Sequence, residues 1–131
     1  MRKKILITGG TGLLALNWAI SVKNHYEIFL AHHQRIFKID GVKFGQLDLE
    51  NYQNLLHSIQ KISPDMIIHT ASLTNIEKCE SSPKVATKIN VDISCNIAKV
   101  SKYFNIKLIH ISTDHLFSNK KIYYKETDKS S

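Results

Sequence analysis

The chain has 131 residues, of which 43% are hydrophobic, a size and composition that suit one globular domain and exclude a fibrous or disordered protein. It contains no run of about 18 apolar residues, so the sequence predicts no membrane span. The net charge is +7, but the lysines are scattered and form no basic helix or aromatic-interleaved patch. We therefore expect a small anionic ligand and no nucleic-acid partner.

The sequence indicates neither secretion nor a disulfide framework. The basic start, Met1–Lys4, precedes an apolar run that is too short for a signal peptide, and a glycine turn follows in place of a cleavage site. Cys79 and Cys95 form no CxxC pair and are expected to be reduced structural thiols. We therefore expect a cytoplasmic protein.

The first half of the chain alternates between predicted strands and helices. Residues 4–8 form a β-rich apolar run that stops at a glycine turn, which predicts a buried strand. A helix is predicted over residues 12–24, followed by strands over 26–32 and 42–47. Residues 51–62 carry apolar side chains at helical spacing and predict a second helix.

The second half repeats this alternation. Pro64 ends the second helix, and residues 65–70 predict a fourth strand. Ser81–Pro83 predicts the start of a long helix that runs to about residue 105, because serine caps free N–H groups and proline fits the first turn. The apolar stripe expected along this helix is Val85, Ile89, Ile93, Ile97 and Val100. Residues 106–112 predict a fifth strand, and the tail is polar without periodicity.

Five such alternations predict an α/β fold with a doubly wound parallel sheet, covered by helices on both faces. Right-handed crossovers and a first strand that ends in a glycine turn favour the strand order 3-2-1-4-5 of Rossmann-type domains. We interpret residues 1–131 as one such domain, and no internal repeat is visible.

The glycine turn, Gly9–Gly10–Thr11–Gly12, carries the clearest functional signal. Glycine allows a tight turn and a close approach of backbone N–H groups to a pyrophosphate, and the helix N-terminus adds partial positive charge. Ala15 stands at the third glycine position, where only close packing of helix on strand is required. The motif predicts a dinucleotide phosphate loop, with a purely structural turn as the alternative.

Two further segments bear on the cofactor. An acidic residue after the second strand would accept hydrogen bonds from a ribose 2′-hydroxyl, whereas a basic one would pair with a 2′-phosphate. Residues 31–35 contain no Asp or Glu, and Arg35 offers a charged fork. This favours NADP(H) over NAD(H), the alternative being a solvated loop arginine. Asp48 and Leu49, after the third strand, are predicted near the adenine, and Asp48 is also a candidate cap for the next helix.

The seven histidines do not indicate a metal site. They include no i,i+4 pair and have no nearby carboxylate framework. His69 and His110 fall inside predicted strands, where we expect satisfied core or sheet-edge groups.

Together with the glycine turn, three later segments resemble a known family. They are residues 68–74 (IHTASLT), 88–91 (KINV) and 111–117 (ISTDHLF), the last continuing to an acidic stretch at 124–128. These segments resemble the extended short-chain dehydrogenases/reductases that act on nucleotide sugars, and most of all the dTDP-4-dehydrorhamnose reductase family. The resemblance covers nearly the whole chain, and the Ser-Thr-Asp-x-x-Phe segment is its most specific part.

The resemblance implies a set of cofactor-binding residues. The positions that match are Gly9, Gly12, Leu13, Leu14, Asp48, Leu49, Ala71, Ser72, Leu73 and Asn90. The first four would line the pyrophosphate, the next two would lie near the adenine, and residues 71–73 would follow the cofactor's ribose and phosphates. Asn90 would be a buried helix asparagine near the active site.

The resemblance also implies a substrate side. The Thr113 hydroxyl would hydrogen-bond the reacting sugar carbonyl or alcohol, with Asp114 beside the substrate. The sequence departs from the family at His69, where asparagine is usual, and at His115, where tyrosine is usual. These departures leave the sugar substrate open.

The family's Tyr-x-x-x-Lys pair, in which tyrosine is the general acid, is not found where the family's spacing requires it. That spacing places the pair beyond residue 131. Tyr103 and Lys107 match the letters but precede the fifth strand, and Tyr123 and Tyr124 have no lysine four residues on. We therefore interpret the chain as the N-terminal part of such a protein, able to bind cofactor without meaningful turnover.

The function implied for the whole protein is hydride transfer to a dTDP-4-keto-6-deoxy sugar from NADPH or NADH. A nucleotide-sugar epimerase or dehydratase would share every motif present, and a non-catalytic regulatory or binding subunit on the same fold is the alternative from another class. The sequence does not fix an oligomeric state, and a homo-oligomer stays open.

Overall fold

The computed structural model describes residues 1–32, 38–113, 116–117 and 123–130. The strands are β1 (Lys4–Thr8), β2 (Glu27–His32), β3 (Val42–Gln46), β4 (Met66–His69) and β5 (Lys107–His110). The helices are α1 (Leu13–Val22), α2 (Tyr52–Ile62), α3 (Ile76–Ser81), α4 (Pro83–Thr87) and α5 (Ile93–Tyr103), with a π-helical segment, Lys88–Asp92, between α4 and α5.

All five strands pair in parallel in the order β3-β2-β1-β4-β5, which confirms the predicted Rossmann-type sheet. Thr8 of β1 is in register with His69 of β4, and His69 is in register with His110 of β5. Because the strands are parallel, their carboxyl ends and the loops that follow lie along one edge of the sheet.

The sheet separates two apolar layers, since successive side chains of a strand point to opposite faces. On one face, Ile5 and Ile7 pack with Ala15 and Ala19 of α1. On the other, Leu6 packs in a cluster with α2 and α5. The continuous apolar run of β1 thus fits a strand covered on both faces.

Helix α2 follows its sequence pattern closely. The Asn51 side chain accepts hydrogen bonds from the N–H groups of Gln53 and Asn54, so it caps the first turn. Leu55 and Ile59 are buried against the sheet. Ser63 adopts a left-handed conformation (φ 49°) and ends the helix directly before Pro64.

The long helix predicted from Ser81–Pro83 to residue 105 is not a single regular helix. Helix α3 was not predicted, and Ser82, at φ −139° and ψ 65°, separates it from α4 without a side-chain cap, so the expected serine cap is wrong. The π-helical segment inserts an extra residue into a turn and rotates the preceding residues about the helix axis. Val85 is therefore 42% exposed instead of continuing the stripe, whereas Ile93, Ile97 and Val100 are buried as expected.

None of the helices in the described ranges combines the length and the apolar composition that a membrane span requires.

Candidate functional site

An open cavity of about 740 Å³ lies at the carboxyl edge of the sheet. That volume is in the range of cofactor and small-molecule sites. The cavity borders the loops after β1 and β4, the two strands between which the order of the chain reverses, and ligands of open α/β sheets bind at such a point. The predicted site residues that line it are Gly9, Thr11, Gly12, Asp48, Leu49, Ala71 and Ser72.

Gly9 occupies a position that only glycine fits. Its φ is +67°, and a Cβ atom there would lie 2.8 Å from Thr70 Oγ1 and 2.9 Å from the Ala71 nitrogen. The Gly12 N–H donates to the Gly9 carbonyl at 2.8 Å and closes the turn. The absence of a side chain lets the β1 and β4 loops touch and leaves backbone open to the cavity.

Gly10, for which no contact of its own was predicted, joins the turn to β2. Its N–H donates to the Ala31 carbonyl at 2.8 Å, and a Cβ atom would lie 2.8 Å from the Leu30 Cβ. The second glycine therefore packs the turn against β2, while the backbone around Gly9 and Gly12 faces the cavity.

The first turn of α1 presents backbone rather than side chains. Gly12 is its N-cap and no side-chain cap is formed, so the first-turn N–H groups keep their positive partial charge toward the glycine turn. The side chains of Leu13 and Leu14 are 82% and 52% exposed and lie outside the cavity lining. Ala15 is fully buried, as close packing at the third glycine position requires.

Asp48 organises the loop between β3 and α2. Its Oδ1 accepts from the N–H groups of Glu50 and Asn51, and its Oδ2 accepts from Asn54 Nδ2 at 2.9 Å. The hydrogen bond from Asn54, followed by that from the Asn51 N–H, lowers the pKa of Asp48 below its usual value. The expected capping role of Asp48 is wrong, because Asn51 is the N-cap of α2 and Asp48 instead binds the loop before it. Asp48 does line the cavity.

The same loop is tied to the helix beside it. Lys88 Nζ lies 2.6 Å from Glu50 Oε2, and Asn96 Nδ2 donates to the carbonyls of Leu49 and Glu50. The hydrogen bond with Glu50 raises the pKa of Lys88. Side chains of the π-helical segment and α5 therefore fix one wall of the cavity.

The loop after β4 is fixed by Asn90. Its Oδ1 accepts from the Leu73 N–H at 2.7 Å, and its Nδ2 donates to the Leu73 carbonyl at 3.1 Å. The expectation of a buried asparagine is wrong, since Asn90 is exposed. Asn90 and Leu73 do not line the cavity themselves; they hold the loop on which Ala71 and Ser72 lie.

His69 is buried beneath this edge, with 1% of its surface exposed. Nδ1 lies 2.6 Å from Thr8 Oγ1, Nε2 lies 3.1 Å from Ser94 Oγ, and the ring stacks on His110 at 5.3 Å. Burial, with a smaller contribution from His110, lowers the pKa of His69 to about 4. His69 is thus the satisfied core histidine that its place in a strand predicts.

The substrate side is only partly described. Thr113 is exposed, three residues beyond the carboxyl end of β5, and is not part of the cavity lining. Tyr103 and Lys107 lie at the opposite, amino end of β5, so that pair is not placed beside Thr113. Arg35, Asp114 and His115 lie outside the described residues, and the roles expected of them stay predictions.

Several residues that line the cavity were not predicted as site residues. They are Ala31, His32, Gln46, Leu47, Glu50, Thr70, Ile89 and Ile93. Most lie where a strand ends, and the register that pairs His32 with Gln46 would have placed both at this edge. Ile89 depends on the π-helical segment, which no simple periodicity indicates. No group of His, Cys, Asp and Glu side chains within the described parts of the chain could hold a metal ion.

The sheet order and the glycine turn at the β1–β4 crevice define a Rossmann-type protein. A protein-family model described as the RmlD substrate binding domain matches residues 2–131, and the chain belongs to this family. The resemblance expected from the sequence is confirmed.

The chain is 30% identical over 128 residues to methionine adenosyltransferase 2 subunit beta of Pongo abelii, covering 96% of this chain and 37% of that protein. The structure of a hypothetical dTDP-4-dehydrorhamnose reductase from Sulfolobus tokodaii superposes with a TM-score of 0.87 at 33% identity, covering 100% of this chain and 46% of that one. A dTDP-4-dehydrorhamnose reductase from Bacillus anthracis in complex with NADP gives 0.82 at 25% identity, covering 99% and 43%. The chain thus spans less than half the length of each relative.

Proposed function

We propose that this chain binds NADP(H) or NAD(H) in the cavity at the carboxyl edge of the sheet. The observation that carries the proposal is the glycine turn, where Gly9 brings backbone against Thr70 and Ala71 beside the uncapped first turn of α1. Backbone N–H groups at a helix N-terminus suit a pyrophosphate. The predicted contacts from Gly9, Thr11, Gly12 and the backbone of Leu13 and Leu14 belong to this proposal.

The remaining cofactor contacts follow from the walls of the cavity. Asp48 and Leu49 would face the adenine, and Ala71–Leu73, held by Asn90, would follow the cofactor's ribose and phosphates. Arg35 would pair with a 2′-phosphate and favour NADP(H), and the relative from Bacillus anthracis is in complex with NADP. His32 and Gln46, which line the cavity where β2 and β3 end, are additional candidates for the adenosine side.

For the whole protein we propose a nucleotide-sugar reductase that transfers a hydride to a dTDP-4-keto-6-deoxy sugar. In support, two similar structures are named as dTDP-4-dehydrorhamnose reductases. The cofactor would supply the hydride. Thr113 would hydrogen-bond the sugar carbonyl, with Asp114 next to the substrate.

A second candidate is a non-catalytic subunit of a larger enzyme. It is favoured by the similarity to methionine adenosyltransferase 2 subunit beta, at 30% identity over 96% of this chain. The two candidates share the cofactor cavity and differ in the reaction. To distinguish them, the whole protein is incubated with NADPH and a dTDP-4-keto-6-deoxy sugar, and separately applied with a methionine adenosyltransferase to a sizing column. Sugar-dependent oxidation of NADPH supports the reductase, and co-elution without such oxidation supports the subunit.

Cofactor binding is tested by titrating the purified chain with NADPH and NADH, followed by calorimetry. We expect saturable binding of both, tighter for NADPH. Gly9→Ala should abolish binding, because the new methyl group meets Thr70 and Ala71 at a positive φ. Gly41→Ala is the matched control, since Gly41 also has a positive φ (80°) but its Cβ position meets only the flexible Lys23 side chain, with Cδ at 4.0 Å. Absence of binding by the unmodified chain would refute the proposal.

A further inference from the structure

A continuous chain of side-chain hydrogen bonds runs beneath the cavity. Thr8 Oγ1 lies 2.6 Å from His69 Nδ1, and His69 Nε2 lies 3.1 Å from Ser94 Oγ. Ser94 Oγ donates to the Asn90 carbonyl at 2.9 Å. Thr8, at one end of this hydrogen-bond network, directly precedes Gly9. Asn90, at the other end, binds the backbone of Leu73 through its side chain.

Only one assignment of donors and acceptors satisfies every hydrogen bond in this network. Because the single Ser94 proton goes to the Asn90 carbonyl, Ser94 Oγ must accept from His69, which places a proton on Nε2. Nδ1 of the neutral ring is then an acceptor and takes the Thr8 hydroxyl proton. The other tautomer would force Ser94 to give up its bond to Asn90.

We propose that His69 is a positioning residue of the cofactor cavity: its neutral ring, protonated at Nε2, fixes the glycine turn relative to the loop after β4, and a second proton on the ring loosens dinucleotide binding. The identification of the ligand as a dinucleotide rests on the proposed function. The bond network itself does not depend on it.

The surroundings of His69 support this role. From β1 it meets the Thr8 hydroxyl, from α5 the Ser94 hydroxyl, and from β5 the ring of His110, which is the titratable group that acts on it within the described residues. A proton added at Nδ1 would leave the buried Thr8 hydroxyl without its acceptor. Thr70 Oγ1 also donates to the Thr8 carbonyl at 2.7 Å, so a shift at Thr8 reaches the contact between Gly9 and Thr70.

Two substitutions of His69 each remove one of its two hydrogen bonds and retain the other. His69→Asn keeps a polar atom near the Nδ1 position and loses the bond to Ser94, whereas His69→Gln keeps an amide near the Nε2 position and loses the bond to Thr8. Each should weaken NADP⁺ binding about tenfold, the effect of losing one buried hydrogen bond. His57→Asn, on an exposed face of α2, is the matched control and should bind as the unmodified chain does. Thr8→Val and Ser94→Ala replace the His69 variants if those fail to fold.

Three further measurements decide the proposal. Nitrogen NMR of the histidine rings should show His69 protonated at Nε2 and not at Nδ1. Amide exchange at Leu73 should accelerate in the variants while that of Ile67, in the middle of β4, stays unchanged. The affinity for NAD⁺ should stay constant down to about pH 5 and fall as the pH decreases through about 4, the pKa of His69 in the folded chain, and it should fall less in His69→Asn, a comparison that cancels titration of the cofactor itself.

The outcomes separate this inference from the proposed function. If the unmodified chain binds neither NADP⁺ nor NAD⁺, the proposed function fails and the claim about binding fails with it. If the unmodified chain binds but the variants bind equally well, only the positioning role is overturned. A proton found on Nδ1, or equal acceleration of Leu73 and Ile67, likewise overturns the inference.

Discussion

Asn90 binds both backbone groups of Leu73, accepting from its N–H at 2.7 Å and donating to its carbonyl at 3.1 Å. The Asn90 side chain thus satisfies the N–H and the carbonyl of Leu73, which lies beyond the end of β4. The loop between β4 and α3 contains Ala71 and Ser72, which line the cavity. The geometry of one cavity wall therefore depends on an amide from the π-helical segment.

Replacing Asn90 should affect binding more than stability. Asn90→Asp keeps an acceptor for the Leu73 N–H but presents an oxygen to the Leu73 carbonyl, so we expect several-fold weaker NADPH binding and a free energy of unfolding within about 1 kcal/mol of the parent. Calorimetric titration and urea unfolding measure the two quantities. Asn24→Asp, in the exposed turn after α1, controls for the added charge. An unchanged NADPH affinity would contradict the positioning role of Asn90.

The core beneath the cavity is predicted to depend on α2. Leu55 is fully buried in the cluster that joins α2 and α5 to the sheet. Leu55→Ala should therefore cost about 2–5 kcal/mol of unfolding free energy through lost burial and a residual cavity. Leu13→Ala removes an equal volume from a side chain that is 82% exposed and should cost under about 0.5 kcal/mol. Equal losses in urea unfolding would show that the packing of α2 is wrongly assigned.

The ion pair between Lys88 and Glu50 should contribute little to stability despite its 2.6 Å distance. Both side chains are about half exposed, so solvent and salt screen their attraction. Lys88→Met should leave the unfolding free energy nearly unchanged, as should Lys43→Met in the comparable pair with Glu27. Since only Lys88 holds a cavity loop, only Lys88→Met should weaken NADPH binding, and this effect should shrink in high salt. An equal effect on binding from both would contradict the assignment.

The strands and the glycine turn could be predicted because their signals are local. The apolar run of β1, the turn at Gly9 and the spacing of Leu55 and Ile59 each need only a few neighbouring residues to be recognised. Strand order followed from general rules of handedness and crossover. These features together place the cavity before any contact is known.

The features that were missed arise from tertiary contacts. Three features were missed: the π-helical segment, the exposed position of Asn90 and the failure of Ser82 to cap α4. All three lie where the helical region contacts the loops after β3 and β4. The hydrogen bonds of His69 join residues up to 61 positions apart in the chain. The histidine could be assigned to the core from its strand, but its partners could not be identified from periodicity.

The buried His69 predicts a pH dependence of stability with a definite sign. Burial lowers its pKa in the folded chain to about 4 from the usual 6.5, so the unfolded chain binds the additional proton between these values. The contribution of the neutral His69 ring to the free energy of unfolding is therefore fully present above about pH 6.5. It falls as the pH decreases toward 4, by about 3 kcal/mol in total. Urea unfolding at closely spaced pH values measures this decline.

The decline can be separated from that of the carboxylates. Carboxyl groups with lowered pKa values, such as Asp48, lose their contribution only as the pH falls below the usual carboxyl range. His69→Asn removes the titrating ring and should flatten the profile between pH 6.5 and 4 while leaving the steeper fall at lower pH. His57→Asn, on the surface of α2, should retain the full decline. If the His69→Asn profile matches that of the unmodified chain, the ring is protonated in the folded state and its place in the hydrogen-bond network is wrong.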